Sequence, residues 1–201
     1  MRIVYAVRTA AGVKVGSFMQ DRCRGARGPR ASFAFDLNAA LPELPRVGLA
    51  TALVPCFERV SRYGRGPEEC YADRKVGCRI GRWNSTVDGL GVRYILPREN
   101  GNRTDVRSLS LINAEGAVLT VSGYGSVPGD GFDFSASHVG ANRLWEAAHW
   151  YVVRPREETL LYLDVAQRGL GTASCGPDTH ERYRLRPGRY GLEPEFGFGS
   201  E

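Results

Sequence analysis

The 201 residues carry 27 basic and 22 acidic side chains, a net charge of +5 and an isoelectric point near 9.1. Only Lys14 and Lys75 are lysines, and the arginines lie scattered among acids, which excludes a basic nucleic-acid-binding stripe. With 42% hydrophobic residues the chain can bury its own core, while no segment reaches the ~18 uninterrupted apolar residues of a membrane span, so one cytoplasmic domain without a nucleic-acid or membrane partner is expected.

Five cysteines, Cys23, Cys56, Cys70, Cys78 and Cys175, are odd in number and form no Cys-x-x-Cys pair. Neither a zinc ribbon nor a disulfide framework is indicated, and reduced thiols are expected.

A strand begins almost at Met1. Ile3 to Val7 and Val13 to Phe18 carry β-branched and aromatic residues on either side of Ala10-Ala11-Gly12, which reads as a hairpin. Turn chemistry follows from Arg24 to Pro29, and residues 32 to 37 then alternate as a half-buried strand does. Further strands are expected from Arg46 to Val54, Phe57 to Tyr63, Val76 to Trp83, Ser108 to Ile112, Ala117 to Ser122 and Glu158 to Asp164. A last hairpin is expected from Tyr183 to Leu185 and Tyr190 to Leu192, around Pro187-Gly188. Only Asn142 to Trp150 reads as a helix, with Leu144, Trp145 and Ala148 on one face. Many short strands, regular turn signals and one short helix predict an all-β, antiparallel sandwich.

The stretch from Gln167 to Asp178 stands out, because three glycines and a proline surround a small-residue centre and allow close backbone approach to another surface. Its Ser174, with His138 or His180 and an aspartate, supplies the residue types of a nucleophilic triad, but no Gly-x-Ser-x-Gly elbow is present. His138, His149 and His180 are too dispersed for a metal site. Gly123-Tyr124-Gly125 with Gly129 reads as a glycine-rich turn, not a phosphate loop. Two polar connections, Tyr63 to Lys75 and Pro97 to Asp105, concentrate arginine and carboxylate side chains that either pin long loops or bind sugar hydroxyls.

Ordered motifs connect these segments. Leu44-Pro45-Arg46-Val47-Gly48-Leu49 is followed by Tyr63-Gly64-Arg65-Gly66-Pro67 with Glu69, Tyr71 and Asp73-Arg74-Lys75. Pro97 with Glu99-Asn100-Gly101-Asn102-Arg103, then Phe132-Asp133-Phe134-Ser135, and finally the loop through Asp178 complete the series. Together they resemble the C-terminal domain of family 2 glycoside hydrolase beta-galactosidases, called the small chain when separately encoded. The resemblance covers residues 44 to 190, with residues 1–43 matching as generic strands of one continuous domain. Cys70 stands where that family usually has serine or asparagine, and Ala72 where proline is usual.

The resemblance implies a large galactose-mutarotase-like β-sandwich, here without its earliest strands, that packs on a catalytic barrel and forms one wall of a galactoside pocket. It places Ser174, Cys175 and Gly176 at the substrate, with Cys175 at the position of a sugar-stacking tryptophan in some members. Arg65, Glu69, Asp73, Arg74, Glu99, Asn100 and Arg103 are then expected to support the loop. The resemblance puts both catalytic glutamates on the barrel, outside this chain, and neither Glu68-Glu69 nor Glu157-Glu158 is promoted to that role. No cofactor is expected in the chain itself; magnesium and sodium belong to the barrel-bearing partner. The alternative is a non-catalytic carbohydrate-binding or structural sandwich without an active partner.

Overall fold

A computed structural model describes residues 1–25, 28–125, 131–171 and 176–201. Twelve strands are described: β1 (Arg2–Arg8), β2 (Lys14–Arg24), β3 (Pro29–Leu37), β4 (Arg46–Leu53), β5 (Phe57–Gly66), β6 (Arg79–Thr86), β7 (Arg103–Val106), β8 (Ser108–Asn113), β9 (Ala117–Tyr124), β10 (Phe132–Ser137), β11 (Thr159–Gln167) and β12 (Arg189–Ser200). They form an eight-stranded sheet of order β1-β2-β3-β12-β9-β8-β5-β6 and a four-stranded sheet of order β4-β11-β10-β7. All pairings are antiparallel, as the alternating sequence predicts.

The period-2 pattern sets which face is buried. In β8, Leu109 and Leu111 point inward while Ser108 and Ser110 point away, and Leu119 and Val121 do the same in β9. These meet Phe132, Phe134 and Ala136 of β10 and Leu161 and Leu163 of β11 in one core. Phe134 is fully buried, and truncating it to alanine is expected to cost about 3–5 kcal/mol. Opposite the core, the outer face of the smaller sheet carries Ser135, Tyr162 and Asp164, and there the polar connections gather.

Local signals close the turns. Asn113 accepts through Oδ1 from the amides of Glu115 (3.0 Å) and Ala117 (2.7 Å), while Gly116 takes a φ of +84°, which a side chain would strain.

Four expectations need correction. The helix is shorter than predicted: α2 spans Ala141–Glu146, the chain extends at Ala147, and a separate 3-10 turn covers Trp150–Val152. No side chain caps α2, and beyond it the His149 ring stacks at 5.1 Å on Tyr151 of the 3-10 turn. A second helix, α1 (Val87–Leu90), is too short for a periodic signal, although the Thr86 hydroxyl caps it by accepting from Gly89 N at 3.0 Å. The final hairpin does not form. Tyr183 ends a 3-10 turn, Leu185 bridges to Leu44, and β12 pairs with β3 and β9, because the Arg184 guanidinium is drawn to Glu43 and the Thr179 carbonyl. The strand expected at Val76 starts at Arg79; Val76 itself is fully exposed, and Cys78 N bonds Lys75 O in a turn.

No helix of the described chain is long and apolar enough to cross a membrane.

Candidate functional site: a clamped loop and an adjoining cleft

The loop leaves β11 beyond a bulge, where the β4 register slips between Asp164 and Ala166. Arg168 N then bonds Pro45 O (3.0 Å), and Gly169 N bonds Tyr183 O (2.9 Å). The Asp73 carboxylate accepts from Leu170 N (3.2 Å) and Gly171 N (2.7 Å), and Arg74 Nη2 donates to Gly171 O at 3.1 Å. This close approach explains Gly169, where a Cβ would lie 2.7 Å from Asp73 Cγ. Gly171 has a φ of +64°, and a Cβ there would meet Thr179 N at 2.6 Å. Ser174 and Cys175 lie outside the described residues, whereas Gly176 is an exposed bend.

A second set of residues draws the two ends of the loop together. Arg168 Nη2 donates to both oxygens of Asp178 at 2.9 Å, Arg168 Nη1 donates to Thr179 Oγ1 at 2.7 Å, and that hydroxyl donates to Gly169 O at 2.8 Å. Glu43 accepts from Arg168 (3.2 Å) and Arg184 (3.1 Å). Burial pushes the Glu43 carboxyl up, but those two arginines outweigh it and hold it below the usual range. The Arg168 hydrogen bonds, and then the Thr179 amide, lower Asp178. Sequence reasoning missed Glu43, Thr179 and Arg184, which no local pattern links to the loop.

Of the seven residues expected to support the loop, Asp73 and Arg74 touch its described part. The other five fasten the two polar connections around it. Arg65 pairs through Nε with Asp105, which Lys75 also reaches at 2.6 Å, and Arg65 Nη1 donates to Cys78 O at 2.8 Å. Glu69 accepts from Gly101 N (2.8 Å) and from the Tyr94 hydroxyl. Asn100 accepts from Val92 N at 3.2 Å and donates to Pro97 O at 2.9 Å. Arg103, 3% exposed, donates to the carbonyls of Pro67, Gly101, Asn102 and Leu90. Glu99 accepts from the hydroxyl of fully buried Tyr71 at 3.4 Å. The Cys70 thiol lies 3.0 Å from Thr104 Oγ1, and burial pushes its pKa up to about 11.

Beside this frame, a cleft of about 480 Å³ lies over the outer face of the smaller sheet, walled by residues near 87–101 and 138–157. At one end Arg46 lies 4.6 Å above the Tyr162 ring and binds Asp164 through Nε (3.0 Å) and Nη2 (2.5 Å). Burial raises Asp164 to about 6 against the pull of Arg46, so the two form an ion pair at neutral pH. At the other end His138 Nδ1 lies 3.2 Å from Glu158 O and Nε2 lies 3.1 Å from Glu58. The carbonyl requires a proton on Nδ1, so Nε2 bonds the carboxylate only as imidazolium. Burial opposes that charge, but Glu58 and the carbonyl outweigh it and raise the His138 pKa. The sequence offers His138 only as one of the residue types of a triad, and no local pattern links it to Glu58, 80 residues away. Among the described residues no His, Cys, Asp and Glu cluster could hold a metal.

In this all-β sandwich the Arg-Gly-Pro, Glu-Asn-Gly-Asn-Arg and glycine-loop motifs fold onto one another. The family model for the beta-galactosidase small chain matches residues 1–196, and the chain belongs to that family. It is 34% identical over 154 residues to a beta-galactosidase of Staphylococcus xylosus, covering 77% of this chain and 15% of that protein. Identity is 36% over 155 residues with a beta-galactosidase of Vibrio cholerae (77% and 14%) and 31% over 163 residues with one of Lactococcus lactis (81% and 15%). The chain thus spans about one seventh of the length of these relatives.

Proposed function

We propose that this chain completes the galactoside pocket of a beta-galactosidase as its small-chain portion, with the catalytic carboxylates outside the chain. The observation that carries this reading is the double acceptance by Asp73 of the Leu170 and Gly171 amides, which fixes the base of the loop. A loop held this way suits presentation of Ser174, Cys175 and Gly176 to a substrate bound on another domain.

Retaining hydrolysis of a terminal β-galactoside needs two carboxyl groups about 5–5.5 Å apart, one as acid/base and one as nucleophile. Glu69 is committed to Gly101 N and Tyr94, and Glu158 to Arg156, so neither adjacent glutamate pair is free for that work. The chain's contribution is positional. Its loop closes one side of the pocket, and a thiol at Cys175, smaller than an indole, leaves the aglycone side more open. Magnesium and sodium, where used, would be held by the barrel-bearing partner.

The purified chain is expected to release no nitrophenol from a nitrophenyl β-galactoside, and activity is expected on mixing with the barrel-bearing portion of a family member. Turnover by the chain alone, with contamination excluded, would overturn the reading.

A further inference from the structure

We propose that the cleft over the outer face of the four-stranded sheet is a binding site for a neutral saccharide, separate from the clamped loop. Its groups divide into those already engaged and those left open. Arg46 is held by Asp164, Arg156 by Glu158, and Glu58 by His138. The side chains of Asp88 and Glu157 make no hydrogen bond or ion pair with another described residue, and that of Arg93 makes only a face-on contact with Trp150, at 5.9 Å. The Tyr162 hydroxyl accepts from Ala141 N at 3.2 Å, which leaves its proton to donate.

These open groups decide the ligand class. Two carboxylates accept, a guanidinium and a phenol donate, and the half-buried Trp150 ring offers an apolar face. Sugar hydroxyls both donate and accept, while the C–H face of a pyranose packs on an indole. An anion is disfavoured, because Glu58, Asp88, Glu99 and Glu157 all line the cleft and two of its three guanidiniums are already paired. A purely apolar ligand would strand the same polar groups. The cleft volume, about 480 Å³, lies within the range of small-molecule sites.

The test is saturation-transfer NMR on the full 201-residue chain, with lactose and, as a non-galactoside, maltose as probes. Each is titrated to about 50 mM, well above a millimolar dissociation constant. Transfer to either sugar is expected, with affinity weakened about tenfold or more by Trp150→Ala and by Asp88→Asn and changed less than about twofold by Asp73→Asn in the loop base. Arg93→Ala, at an exposed side chain, supplies a weakened variant whose fold is not at issue. Absence of transfer to both sugars would overturn the proposal. So would binding that survives Trp150→Ala and Arg93→Ala but is lost with Asp73→Asn, which would place the sugar at the loop. The proposal rests on the cleft alone, so its failure is distinct from failure of reconstituted galactosidase activity.

Discussion

The carboxylate of Asp73 holds two successive backbone amides of a loop almost a hundred residues further along the chain, Leu170 N at 3.2 Å and Gly171 N at 2.7 Å. Charge-assisted bonds of this kind are worth more than neutral ones, and an alanine leaves both amides without their acceptor. Asp73→Ala is expected to cost about 1–3 kcal/mol, concentrated locally. Hydrogen exchange at Leu170 and Gly171 should accelerate while β8 and β9 stay protected. Uniform acceleration across the sandwich would refute a local role.

Two arginines of equal burial are expected to respond differently to replacement. Arg62 and Arg103 are each 3% exposed, but Arg103 serves four carbonyls, whereas Arg62 donates to Pro67 O (2.8 Å) with Nε and Nη1 unpartnered. Burial lowers the pKa of both, Arg62 to about 10. Arg103→Met strands buried carbonyls and should cost about 3–5 kcal/mol, and Arg62→Met distinctly less. Urea midpoints of the two variants check the order.

Stability should fall as pH rises from about 4 to about 7. Burial raises Asp133 to about 7 and Asp164 to about 6, while an unfolded aspartate titrates near 3.9. Between those values the folded state holds protons that the unfolded state has released, so the favourable contribution is present at the acid end and lost toward neutrality. His138, with its raised pKa, acts in the same direction. Below about 4 the opposite loss begins, as Asp105 is protonated; burial pushes Asp105 up, but Lys75 and Arg65 outweigh it and hold it below the usual range. Asp133→Asn should flatten the neutral-side slope in a series of urea melts.

Thiol reactivity should divide by burial. Cys23 and Cys56 are exposed, whereas Cys70 and Cys78 are buried. Iodoacetamide is expected to label the first two in the native protein and the second two only after unfolding, as peptide mass spectrometry would read. Cys70→Ser should be tolerated within about 1 kcal/mol, since a hydroxyl can keep the contact with Thr104.

The alternating strands were legible because a half-buried sheet writes its faces into the sequence. Leu109, Leu111, Leu119 and Val121 are spaced by two and bury together. The polar connections were legible as dense in charge, but their partners were not. Asp73 reaches Leu170, and Glu43 reaches Arg168 and Arg184, through the return of distant strands to one sheet end. The cleft had no signature at all. His138 and Glu58 meet because β10 ends beside the start of β5, and no short-range pattern encodes that meeting. The false final hairpin came from a real turn signal at Pro187-Gly188, overridden when Arg184 joined Glu43.

The loop is tied twice at its base, by Asp73 on one flank and by the Arg168–Asp178 pair that joins its two ends ten residues apart. Such an anchor separates the requirements on the tip from those on the scaffold. An exchange confined to the residues between the two ties is expected to leave the bonds of the clamp in place, which hydrogen exchange at Leu170 and Gly171 would read. The same separation gives natural variation a place to accumulate.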